Sequence, residues 1–188
     1  MEDVHTDYFL RRILLTDANK RFETSKKEFN TSSRTLKEFV REDNDCNDDG
    51  IFITYIFGKV DDVLGIARMR SMSFGEFKKE ILERKMFNLE EIEEYSGLQI
   101  IYMSRVGVSK EVDGFGFGTM LRFFLDGHAR TIFDHFLLYA FINESMFNSM
   151  IQIFGEKGFF ENYKISRELY DEKWKKYWVI LREFIPPL

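Results

Sequence analysis

The chain has 188 residues, 44% of them hydrophobic, with 21 phenylalanines and a formal charge of −5. That length suffices for one domain with a substantial core rich in aromatics. The acidic balance argues against nonspecific nucleic-acid binding, which needs a basic surface, and no apolar run approaches the length of a membrane span. One cysteine, Cys46, rules out an internal disulfide, and its acidic neighbours disfavour the thiolate a nucleophile would need. The opening Met1-Glu2-Asp3-Val4-His5 is polar and unlike a signal peptide. The expectation is a cytoplasmic protein with no membrane and no nucleic-acid partner.

Taken in order, 8–15 is apolar enough for a first strand, though Arg11-Arg12 interrupts it. Thr16-Asp17 reads as a helix start, with a helix over 18–29, a break at Asn30-Thr31-Ser32-Ser33 and a short helix over 35–42. The acidic stretch 43–50 imitates the opening of a calcium loop, but Ile56 stands where a bidentate Glu belongs, so it reads as a turn into a strand. A hairpin follows over 51–57 and 63–69, linked by 58–62 and carrying Gly65 within its second strand. Over 71–96 the spacing predicts two helices, one with Phe74, Phe77, Ile81 and Leu82, the other with Met86, Leu89 and Ile92. This insertion carries Glu76, Glu80, Glu83, Glu90, Glu91, Glu93 and Glu94. Individually these read as solvated charges; the insertion's location reads as a lid or wall beside an acceptor site.

A buried strand over 98–108 leads into Gly114, Gly116 and Gly118. A helix then places Met120, Leu121, Phe124, Leu125, His128, Ile132 and Phe133 on one face, with Arg122, Asp126 and Arg130 opposite. The glycines permit positive φ and close approach of a ligand. The orphan N–H groups at the helix start suit a phosphate or pyrophosphate. Neither the dinucleotide fingerprint nor the nucleotide-triphosphate loop fits: the third glycine comes one place early, and Gly118-Thr119 lacks a lysine. Next come a strand over 136–142, an N-cap at Asn143, and a helix over 144–156 with Gly158 as its C-cap. Two closing strands, 160–166 and 177–184, precede Pro186-Pro187.

Val106-Gly107-Val108, the gap to Asp113, then Gly114-Phe115-Gly116-Phe117-Gly118, Thr119 and Leu121 resemble in order and spacing the acetyl-CoA motif of the GNAT superfamily of N-acetyltransferases. Phe154-Gly155-Glu156-Lys157-Gly158-Phe159 resembles the family's Tyr-Glu-Lys-x-Gly-Phe, and Val63-Leu64-Gly65-Ile66-Ala67-Arg68 its Ile-Val-Gly-x-Ala-Arg strand. The resemblance implies a single α/β (α+β) domain over 1–188. It would hold a mixed, mostly antiparallel sheet of about six to seven strands flanked by helices, with 71–97 as a helical insertion before the central strand. It implies acetyl-CoA as acyl donor, an amine acceptor and, by analogy, a homodimer. Val106, Gly107, Val108, Asp113, Gly114, Phe115, Gly116, Phe117, Gly118, Thr119, Asn143 and Phe154 would bind the cofactor.

Three residues depart from the family pattern. Phe154 replaces the tyrosine that protonates the leaving thiolate. Tyr102 stands where some members carry a carboxylate. Asp113 replaces the Arg or Gln that opens the pyrophosphate turn, and is unfavourable there unless it points away or pairs with Lys110. By strand alternation Tyr102 and Ser104 share a face and are the candidate catalytic pair, holding a water near the thioester. No cluster has metal-ligand spacing. The leading expectation is an acyl-CoA-dependent N-acyltransferase acting by direct amine attack. A noncatalytic CoA-binding or interaction module is the alternative, and Phe115 and Phe117 leave a longer acyl donor open.

Overall fold

The computed structural model describes residues 8–13, 29–31, 52–59, 62–172 and 175–186. The expected helices over 18–29 and 35–42 and the turn over 43–50 fall, apart from Phe29–Thr31 at the first helix's end, outside the described residues. The chain divides into two units, 1–70 with 105–127 and 71–104 with 128–188.

In the first unit, β1 (Tyr8–Ile13) pairs antiparallel with β2 (Phe52–Lys59), and β2 with β3 (Asp62–Met72). Strand β2 runs two residues further than its hydrophobic pattern implied: Lys59 pairs with Asp62, and Gly58 sits at a register shift within the strand. Residues 63–69 of β3 are buried without a break, the signature of a strand covered on both faces. Gly65 has a specific reason to be glycine. A Cβ there would lie 3.0 Å from Leu121 Cδ1 and 3.1 Å from both the Gly107 carbonyl oxygen and Val108 Cγ1. The last residues of β4 (Gln99–Val108) and the start of α3 (Phe117–Ile132) therefore approach β3 closely at this point. The Ser109 N–H donates to the Leu64 carbonyl at 2.7 Å and fixes the same approach. Helix α3 packs Leu121 and Leu125 fully buried, with Phe124 edge-on to Tyr55 and Phe117 against Phe57.

Of the polar face expected on α3, Arg130 is exposed, but Arg122 and Asp126 lie inside. Arg122 and Asp126 are 6% and 5% exposed, and Nε of Arg122 lies 3.6 Å from Oδ1 of Asp126 one turn on. Met120 and Ile132, expected inside, are 41% and 47% exposed. An i,i+4 pair of opposite charge reads as solvent-facing by periodicity, but paired charges can be buried.

In the second unit, β4 pairs in parallel with β5 (Phe136–Asn143), from Gln99↔Phe136 to Met103↔Ala140. The chain between them passes through α3, as a parallel pair requires. Strand β5 pairs antiparallel with β8 (Lys175–Phe184), which also carries the short strands β6 (Lys164–Ile165) and β7 (Leu169–Asp171). The described residues thus hold eight strands, two of them fragments, with helices against the sheet in each unit. The expected closing strand over 160–166 shrinks to β6, because α4 (Glu144–Asn162) continues through that stretch. Asn143 is its N-cap: Oδ1 accepts from the Met146 N–H at 2.9 Å. Gly155 breaks α4 with φ 70° and ψ 155°, after which the helix resumes, so Gly158 lies inside it and is not its cap.

The insertion forms α1 (Phe74–Glu83) and α2 (Leu89–Glu93). Ser73 and Glu76 make a reciprocal capping box that starts α1, the Ser73 N–H donating to the Glu76 carboxylate at 2.8 Å. Phe77, Ile81 and Ile92 are fully buried in a cluster with Ile100, Leu137, Tyr139, Val179 and Leu181. Each such side chain contributes about 1.5–3 kcal/mol. Opening the insertion like a lid would forfeit that burial, so it is a fixed wall of this unit's core.

Candidate functional site

After β4, a 3₁₀ turn (Lys110–Val112) leads to Asp113, and Gly114 and Gly116 both take left-handed φ, 81° and 82°. A Cβ at either would meet nothing within 4 Å, so glycine is required by backbone conformation and the space beyond is open. Phe115 between them is 75% exposed. The first helical bond of α3 joins the Met120 N–H to the Gly116 carbonyl at 2.9 Å. The N–H groups of Gly116, Gly118 and Thr119 have no hydrogen-bond partner among the described residues. These are the orphan donors of a helix start, where the positive end of the dipole lies. Val106, Gly107 and Val108 are half-buried, and a Cβ on Gly118 would lie 4.0 Å from Val108 Cγ2. The Asp113 carboxylate does not pair with Lys110; it accepts the Gly114 N–H at 3.0 Å and so takes up one donor of the turn.

In the second unit, Tyr102 is half-buried on β4 and stacks on Tyr139, with ring centroids 5.0 Å apart, and lies edge-on to Phe141 at 6.2 Å. Burial pushes the Tyr139 phenol above the ordinary tyrosine range, and the Glu80 carboxylate adds to the shift. Ser104 is half-buried two residues along β4. Asn143 spends its side chain on capping α4. Phe154 is half-buried just before the break at Gly155, with its ring edge-on to Tyr163 at 5.8 Å.

No family model and no curated protein matches the chain. Solved structures do. AtaTR bound with AcCoA aligns over 94% of this chain and 93% of its own, at 12% identity and TM-score 0.59. An agmatine N-acetyltransferase variant in its apo form aligns over 95% and 100%, at 10% identity and TM-score 0.59. A GNAT-family chain from Desulfovibrio desulfuricans aligns over 95% and 99%, at 14% identity and TM-score 0.50.

The chain has the GNAT fold. The match spans nearly all of it, well beyond the stretch that carries the sequence motifs. The acidic segment over 71–96 has structural work to do. Glu76 and Glu91 accept the backbone N–H of Ser73 and Asn88 at the helix starts. Glu80 faces Arg84, Glu83 faces Lys79, Glu93 faces Lys78 and Glu94 faces Lys164. The Lys164 ammonium holds the Glu94 carboxyl below its usual range. Sequence periodicity showed the charges but not their partners, since Lys164 lies 70 residues from Glu94 in the chain. No helix among the described residues is long and apolar enough to cross a membrane.

Proposed function

We propose that this chain is an acyl-CoA-dependent N-acyltransferase, taking the acetyl group of acetyl-CoA and delivering it to a primary amine. The observation that carries the reading is the turn into α3. Two left-handed glycines, open space beyond them, and the free N–H groups of Gly116, Gly118 and Thr119 form a cradle for the pyrophosphate of CoA. Asp113, Gly114, Phe115, Phe117 and the strand end Val106, Gly107 and Val108 complete this part of the reading, with Asn143 and Phe154 assigned to the cofactor by resemblance. In the reaction, the amine lone pair attacks the thioester carbonyl carbon, the C–S bond breaks, the nitrogen loses a proton and the thiolate gains one. Tyr102 and Ser104 are proposed to hold the water that accepts the amine proton. Phe154 has no proton to give, so the thiolate would take its proton from solvent. Positioning a free amine against a thioester supplies much of the rate without a dedicated acid.

One of the similar structures is an agmatine N-acetyltransferase, so agmatine heads the acceptors to be tested. The reading takes 1–188 as a single cytoplasmic transferase domain. A second reading, a CoA-binding module without turnover, is favoured by Phe154 and by the packing of Tyr102 on Tyr139. Isothermal titration of acetyl-CoA, with NADH as control, tests the cofactor; thiol release with agmatine and other amines tests turnover. Binding of acetyl-CoA alone with thiol release supports the transferase. Binding without release for any amine supports the second reading, and no binding removes both.

A further inference from the structure

A cleft of about 610 Å³ lies in the second unit, where the turn joining α1 to α2 meets the segment after β6. Leu82, Phe87, Leu89 and Ile165 give it apolar walls, and Lys85 and Arg167 stand on it as cations. Leu82 and Leu89 remain 37% and 45% exposed, so the cleft offers open apolar surface.

The charged lining of the cleft is net positive. The other cations of α1 and its C-cap each face a carboxylate: Lys78 faces Glu93, Lys79 faces Glu83 and Arg84 faces Glu80. Lys85 and Arg167 form no ion pair among the described residues. The acid on the lining, Glu91, is tied by Oε2 to the Asn88 N–H at 2.6 Å. The hydroxyl of Ser166 is occupied too, donating to the Arg167 carbonyl and accepting from the Val179 N–H. In a chain of net charge −5, the lining of this cleft carries two cations, Lys85 and Arg167, against one carboxylate, Glu91.

The backbone supplies a further sign. Lys85 has φ 53°. The Lys85 N–H donates to the Leu82 carbonyl and the Met86 N–H to the Ile81 carbonyl, the paired bonds that close a helix through one left-handed residue. Glycine takes that position without strain, whereas lysine is strained there, and its side chain forms no hydrogen bond or ion pair among the described residues.

We propose that this cleft binds a small organic anion with an apolar body. Its anionic group pairs with Lys85 and Arg167, and its hydrocarbon part covers Leu82, Leu89 and Ile165. The site stands apart from the transferase reading and needs no CoA. The test is titration of the full chain, without acetyl-CoA, with phenylbutyrate and with phenylbutylamine, which share the apolar body and differ in charge. The expected result is saturable binding of phenylbutyrate and none of the amine. Lys85→Gly and Arg167→Gln should each weaken the acid roughly tenfold, the loss of one charge-assisted hydrogen bond. Lys85→Gly should also melt no lower than wild type, because glycine relieves the left-handed backbone, so its lost binding is not lost folding. Absence of phenylbutyrate binding, equal binding of the amine, or affinity unchanged in both variants would each overturn the proposal.

Discussion

Replacing Asp113 with Asn tests the pyrophosphate cradle through a residue that opposes it. Asparagine keeps an oxygen to accept the Gly114 N–H, now at 3.0 Å, and removes one negative charge. A phosphate held by the free amides three to six residues further on would sit roughly 6 Å from that carboxylate, where one pair of unit charges in water repels by about 0.7 kcal/mol. With about two charges on the pyrophosphate, the unscreened cost is about 1.4 kcal/mol. A Debye length of about 8 Å at 0.15 M salt cuts it to roughly half, about threefold in affinity. At 0.01 M salt, where that length is about 30 Å, the effect grows to about sevenfold. Isothermal titration of acetyl-CoA against wild type and Asp113→Asn at both salt concentrations reads the ratio directly. Tighter binding by the variant, more so at low salt, is expected. Unchanged or weaker binding, or a ratio indifferent to salt, would mean that the phosphates do not lie on this turn.

Three further outcomes concern the scaffold. Gly65→Ala forces a methyl within 3.1 Å of the Gly107 carbonyl oxygen; it should cost about 1–3 kcal/mol, seen as a melting point lower by about 2–4 °C per kcal/mol, and wild-type melting would refute the close approach. Asn143→Ala removes the acceptor for the Met146 N–H and should cost about 1 kcal/mol by urea denaturation; no loss would deny the cap. Tyr139 is fully buried and its phenol is shifted upward by burial. Below pH 10, the ordinary tyrosine value, folded and unfolded chains both keep that proton. Above it the unfolded chain releases the proton and the native one does not, so stability should fall by about 1.4 kcal/mol per pH unit. The burial of Tyr95 acts in the same direction. Urea midpoints that stay level from about pH 9 to about pH 11 would refute that account.

The parts legible in the sequence are those whose cause is local. The hairpin of β2 and β3 shows in its apolar runs. The α3 turn shows in three glycines, and the Asn143 cap in a polar residue placed where a strand gives way to a helix. What stayed hidden depends on partners or on backbone choices that residue type does not announce. Arg122 and Asp126 look like a wet face until their pairing brings them inside. Gly155 and Gly158 are equally good punctuation, and only the dihedral at Gly155 shows which one breaks α4. Lys85 gives no hint of a left-handed turn, because nothing in a lysine favours one. The insertion's two helices were visible, but their burial against Ile100, Leu137 and Val179 comes from strands distant in the chain.

Phe115 has a practical consequence. An aromatic ring that is 75% exposed, flanked by two glycines at the tip of a turn, is a natural cut site for chymotrypsin. Nicking there would part β4 from α3 within the very turn assigned to the pyrophosphate. The rate of that cleavage is therefore a reporter already built into the chain, and a ligand lying across the turn would slow it without any label or engineered probe.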